Sequence, residues 1–261
     1  MRRICGVLAS ALLAGAAHAH DSWIVPDGSV LSVATGNRYP RAELTVPPGG
    51  IEQAACHSAS GGRASFARRA GPQGCWAELR EYGIELDAAL VPVYLREARP
   101  PETVRDRWQA LHAEGIGWRE RYRKFARIEL AGPEVPTAVL RNLRRPAGLD
   151  LEIVPAGDSP LRVGQPGRFI VLSQGQPVPG QAVELVSERN PLGAWSKTDE
   201  RGTVQWTLPF AGHWLVRTIA IGPDAASAWR SRFATLAFEA HGGLGEADRH
   251  SMQVHRPAAA D

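Results

Sequence analysis

Short strand-length runs of apolar residues, separated by turn residues, dominate this chain. Residues 22–26 and 29–34 are rich in Trp, Ile, Val and Leu and are divided by the turn pair Asp27-Gly28, which predicts a hairpin. Residues 35–41 read as a loop through Gly36, Asn37 and Pro40, and residues 43–46 as a strand before Pro47-Pro48-Gly49-Gly50. Further strands are expected at 51–55, 75–82 and 88–95. Over 101–126 the period changes: Val104, Trp108 and Leu111, then Trp118, Tyr122 and Phe125, recur every three or four residues, which predicts a helical segment broken near Gly115-Ile116-Gly117. The charges between these apolar positions, Arg105 to Arg107 and Arg119 to Lys124, read as a solvated face.

The second half is more regular. Residues 150–154, 167–172, 182–186, 203–208, 213–219 and 233–238 are β-branched or aromatic runs divided by Gln176-Pro177-Val178-Pro179-Gly180, Thr198-Asp199-Glu200-Arg201-Gly202 and Pro209-Phe210-Ala211-Gly212. Such spacing is that of an immunoglobulin-like or transthyretin-like sandwich. The expected fold is mainly β, with two antiparallel sandwich-like domains: residues 20–141, carrying the helical segment 101–126, and residues 149–240. A linker at 142–148 joins them, and the polar remainder, 241–261, reads as a disordered tail.

The first residues are of another kind. Arg2 and Arg3, an apolar run from Ile4 to Ala16, and the small-x-small triplet Ala17-His18-Ala19 form a secretory signal with cleavage after Ala19. The mature protein, periplasmic on this reading, then starts at His20. Removing two arginines and no acid leaves 28 basic against 27 acidic residues, a formal charge of about +1. That balance argues against nucleic acid as a partner. The mature sequence has no second apolar run of 18 residues, so no membrane-spanning helix is expected. Of three cysteines, Cys5 leaves with the signal; Cys56 and Cys75 form an even pair in an oxidising compartment, for which a disulfide is expected and a Cys56-His57-Cys75 metal site is the alternative.

An N-terminal histidine carries an α-amine and an imidazole on one residue, a pair able to chelate Ni, Co, Cu or Zn. Two nitrogens do not complete a coordination sphere, so further ligands are sought at Asp21, His57 and His213, with His112 and His241 as weaker candidates. Neither His-x-His nor His-Glu-x-x-His occurs in the mature chain. No Gly-x-Ser-x-Gly nucleophile elbow and no phosphate loop opening a helix occurs, so an enzyme is not expected.

The segments Leu149 to Pro155, Gly175 to Gly180, Thr198 to Gly202, Ala211 to Val216 and Trp229 to Ser231, together with Ala19-His20-Asp21-Ser22-Trp23-Ile24 and Glu120 to Arg127, follow an order that resembles the DUF4198 family. The resemblance implies a periplasmic component associated with nickel or cobalt uptake, partnered by a transporter of the inner or outer membrane. Two other classes stay open: a non-catalytic envelope module binding a protein or polysaccharide, and a copper oxidase that would need a second histidine beside His20.

Overall fold

A computed structural model describes residues 20–190 and 192–242; residues 1–19, read above as a signal, and those beyond 242, with His250 and His255, lie outside the described residues. The chain opens with β1 (Asp21–Asp27), β2 (Val30–Gly36) and the short β3 (Leu44–Thr45). After a turn at Pro48–Gly50 come β4 (Ile51–Ser58), β5 (Arg63–Ala64), β6 (Gln73–Leu79) and β7 (Tyr82–Leu86). Helices α1 (Val91–Ala98) and α2 (Glu102–Ala113) precede β8 (Trp118–Leu130), and α3 (Thr137–Leu143) follows it. The second half supplies β9 (Glu152–Ala156), β10 (Pro166–Ser173), β11 (Gln176–Pro177), β12 (Ala182–Ser187) and β13 (Ala194–Lys197). It ends with β14 (Thr203–Thr207), β15 (Gly212–Ala225) and β16 (Ala228–Ala240).

These strands make three layers. The central sheet runs β13-β12-β15-β16-β8-β6-β4-β5, with β7 also paired to β8. A front sheet of β1, β2 and β3 and a back sheet of β9, β10, β11 and β14 cover its two faces. Because side chains alternate across a strand, one strand of the central sheet feeds both interfaces. On β8, Phe125 joins the core shared with the back sheet, together with Phe169, Val171, Val216 and Leu236. Its neighbours Ala126 and Ile128 point the other way, to Trp23, Ile24 and Val33 of the front sheet. Farther along that face, Trp118 packs with α1, α2, Trp229 and Phe233, and stacks on Trp229 at 4.5 Å between ring centroids.

The mainly β class is as the sequence predicts, and Cys56 and Cys75 face each other on β4 and β6 and are bonded. The helical reading of 101–126 is half wrong. Residues 102–113 are helical, but 118–130 form the longest strand of the first half. Its alternation is masked because the core-facing row contains Glu120 and Lys124, both buried, among Trp118, Ala126 and Ile128. Of residues 88–95, expected as a strand, 91–95 are helical and belong to α1, which runs on to Ala98: Pro92 occupies the first turn, where its missing N–H costs nothing. The expected linker is partly helix, since α3 runs to Leu143, and Arg144 is buried in a forked pair with Glu129 at 2.6 Å. The two halves are also joined edge to edge. Residues 120–129 of β8 pair in parallel with 229–238 of β16, so one sheet spans both. Residue 241, expected at the start of the tail, is fixed: the His241 ring lies 2.7 Å from the Ala131 carbonyl.

Gly74 marks the closest approach of α3 to the central sheet. A Cβ built there would lie 2.2 Å from the Leu143 carbonyl oxygen, a backbone atom that cannot swing away. Gly74→Ala is therefore expected to destabilise the fold by about 2–3 kcal/mol, as overpacking of a tight contact does, read as a lower urea midpoint with an unchanged slope.

Candidate functional site

The segment that begins at His20 is built into the molecule. Strand β1 lies across β8 and β16, and three side chains of the central sheet reach up to it. Lys124 Nζ donates to the His20 carbonyl at 2.7 Å, Thr235 Oγ1 donates to the Ser22 carbonyl, and Arg217 Nη1 donates to Asp21 Oδ2 at 2.8 Å. Within the front sheet, Ser22 and Thr35 share a hydroxyl hydrogen bond of 2.8 Å. His20 is 5% exposed, and among the described residues neither ring nitrogen has a hydrogen-bond partner. Its Nε2 faces Glu43 Oε2 at 3.6 Å. Glu43 is set in place by its own backbone N–H, which donates to Thr35 O, and by the Asn37 N–H, which donates to its carboxylate at 3.2 Å.

The charges under β1 form a compensated row. Arg217 bridges Asp21 and Glu184; burial works against its charge, but the two carboxylates outweigh that and hold its pKa above the ordinary value. Asp21 is thus committed to a structural ion pair. Among the described residues Lys124 has no such partner: burial pushes its pKa down to about 8, and the Asp21 charge only partly opposes this.

The other candidates lie elsewhere. His57 aligns with Gly74 on β6, which aligns with Glu129 on β8. His213 pairs with Glu239 on β16, one position beyond the Phe238 that aligns with Glu129. Four strand spacings separate His57 from His213, roughly 19 Å. His20, above Lys124, is displaced from that row by five residues of β8, roughly 16 Å along the strand. The structure does not bring these three histidines together. His213 is exposed at the mouth of a crevice with Trp23 and Tyr39, while His57 is half-buried beside the disulfide with its Nε2 unpartnered. Burial, and then the Arg127 and Arg145 charges, lower the His57 pKa. His112 stacks on Trp108 in the helical cluster, and His241 is held by Ala131. Among the described residues no group of three or more His, Cys, Asp or Glu side chains is gathered as a metal cage. Glu43 and Lys124, the groups that do meet His20, escaped sequence reasoning: one follows a loop, the other sits in an apparent run of solvated charges.

The described chain is a layered β protein whose first described residue, His20, is buried against its central sheet. Residues 113–222 match the model of a domain of unknown function, DUF4198, a span from the end of α2 into β15. It contains Lys124, Glu184 and Arg217 but neither His20 nor the disulfide. No curated protein and no solved structure matches the chain.

Arg217→Met leaves two buried carboxylates without their cation and is expected to cost about 3 kcal/mol in urea unfolding, the loss typical of breaking a buried pair from one side. For His57, the folded state binds the proton less tightly than the unfolded chain. Stability therefore falls as the pH drops through 6.5 toward the lower folded-state pKa, and His57→Gln should make that decline shallower. NMR titration of the ring checks the direction of the shift.

Proposed function

We propose that this protein is a non-enzymatic, periplasmic accessory for a transition metal, with nickel or cobalt uptake or handling as its context and His20 as its anchor. The observation that carries the reading is the buried imidazole of His20, both of whose nitrogens lack hydrogen-bond partners although such groups are normally satisfied. Cleavage after Ala19 frees the α-amine of the same residue. The amine and Nδ1 are the two donors that one histidine can offer to a single ion, which leaves Nε2 to Glu43. A carboxylate on the far nitrogen is the usual way a liganding imidazole is oriented and made more basic.

Such a site is incomplete by design of the ligand count: two nitrogens leave positions for water or another molecule, which suits capture and transfer better than storage. The order of affinities for an imidazole and amine site favours Cu, then Ni and Zn, then Co, so availability in the compartment, rather than this site alone, selects the ion. The disulfide fits an oxidising compartment. A metal transporter of the inner or outer membrane is the proposed recipient; among the described residues no helix is long and apolar enough to cross a membrane.

Calorimetry on correctly processed protein tests the reading. Ni, Co, Cu or Zn should bind with one ion per chain, and one additional residue before His20 should weaken binding by at least about tenfold, because it converts the amine into an amide. Glu43→Gln should weaken it within the roughly 10–100-fold range seen for outer-shell carboxylates. No binding, or binding indifferent to the added residue, overturns the proposal and leaves the interaction module as the better account.

A further inference from the structure

Lys124 sits at the floor of a second feature, a groove of about 180 Å³ between the front sheet and β7–β8. Leu44 and Val46 line one wall, and Tyr82 and Tyr122, stacked with ring centroids 6.0 Å apart, line the other. Lys124 is 6% exposed, and its ammonium uses one of three N–H donors, on the His20 carbonyl. The Tyr122 and Phe233 rings flank it at 5.4 and 5.5 Å, which favours a cation but offers no acceptor. Asp21, whose charge acts on Lys124, is engaged by Arg217.

A cation buried without a counter-ion is strongly unfavourable, which is why buried charges are ordinarily paired. The groove supplies no counter-ion of its own. Its lining carries Lys124 and, at the rim, Arg80, and includes no acidic side chain. At the same time two large apolar groups of the wall face water: Leu44 is 60% and Tyr82 49% exposed. The site thus offers a buried ammonium with free donors at one end and an uncovered apolar and aromatic wall leading to it. We propose that this groove binds a small organic carboxylate, with the carboxylate on Lys124 Nζ and an apolar or aromatic body along Leu44 and the Tyr82–Tyr122 pair. The pairing is complementary in charge and in shape: a charge-assisted hydrogen bond replaces the missing partner, and the body covers the exposed wall. A bare inorganic anion would satisfy the first requirement and leave the second unmet. The inference does not depend on a metal at His20.

The test uses mature protein freed of metal with a chelator, titrated with phenylacetate, benzoate and hexanoate, and with acetate and benzamide as controls, by calorimetry and ligand-observed NMR. At least one of the three carboxylates should bind, acetate and benzamide should bind at least about tenfold more weakly, and Lys124→Met should remove a similar factor. Because that substitution replaces a buried cation with an apolar chain of similar length but also removes the donor to the His20 carbonyl, the two effects oppose each other and the melting temperature should change little. Tyr82→Ala, at an exposed position, should weaken binding severalfold without touching the cation. Binding by none of the three carboxylates overturns the proposal. So does benzamide or acetate binding as tightly as they do, or affinity unchanged in both variants.

Discussion

The parallel pairing of β8 with β16 is the contact on which the other layers depend. It aligns ten residues, 120–129 with 229–238, and joins strands more than a hundred positions apart in the chain. Without it the first half would hold a sheet of β4 to β8 with an open edge beside β8, and the second half a sheet ending at β16. Exposed edges of that length invite pairing with other chains; here each covers the other. The resulting central sheet is wide enough to be covered on one face by the back sheet and on the other by the front sheet and the two helices. Each of the three hydrophobic clusters takes side chains from β8 or β16, or both.

Burying β8 has an electrostatic consequence, because the strand is rich in charge. Arg127 lies in an ion pair with Glu152, whose carboxylate also accepts the backbone N–H groups of Ala147 and Gly148. Glu129 takes the fork of Arg144, which also donates to the carbonyls of Gly157 and Ser159. Glu120 accepts from the Tyr94 hydroxyl and from the Trp118 indole, and its burial raises its pKa. Pairs of this kind add little net stability over apolar substitutes, but removing one member is costly. They tie the segment between the halves, residues 144–159, to the sheet at defined positions. Lys124 is the exception in the row, a cation with hydrogen bonding to one carbonyl and no paired carboxylate, and it falls where the front-sheet and helical clusters meet.

That junction also receives the segment that begins at His20. Lys124, Arg217 and Thr235 hold His20, Asp21 and Ser22, so His20 is presented at a fixed place. The family match ends inside β15 and begins after the segment that bears His20. Two of the residues that receive this segment, Lys124 and Arg217, therefore lie within the matched span, whereas Thr235 and the histidine itself do not.

Local pattern sufficed where burial and polarity agree along the chain. The hairpin of β1 and β2, the strands of the second half with their Pro, Gly and Asp turns, and the facing cysteines were all legible, because each depends on neighbours in sequence or on the chemistry of one residue type. The same is true of His20 as the first residue after a signal-like segment, although the signal itself lies outside the described residues. What the sequence misreported was β8. A strand with Glu120 and Lys124 on the face toward the front sheet and helices, and Phe125 buried on the face toward the back sheet, imitates a helical period, and only partners contributed from far along the chain, Tyr94, Ser231 and His20 among them, make that burial tolerable. The separation of His57 and His213, the commitment of Asp21 to Arg217, and the meeting of His20 with Glu43 and Lys124 were likewise decided by strand order. Strand order is a long-range property: it is fixed by which edges and faces bury together, and composition along a single stretch carries no record of it.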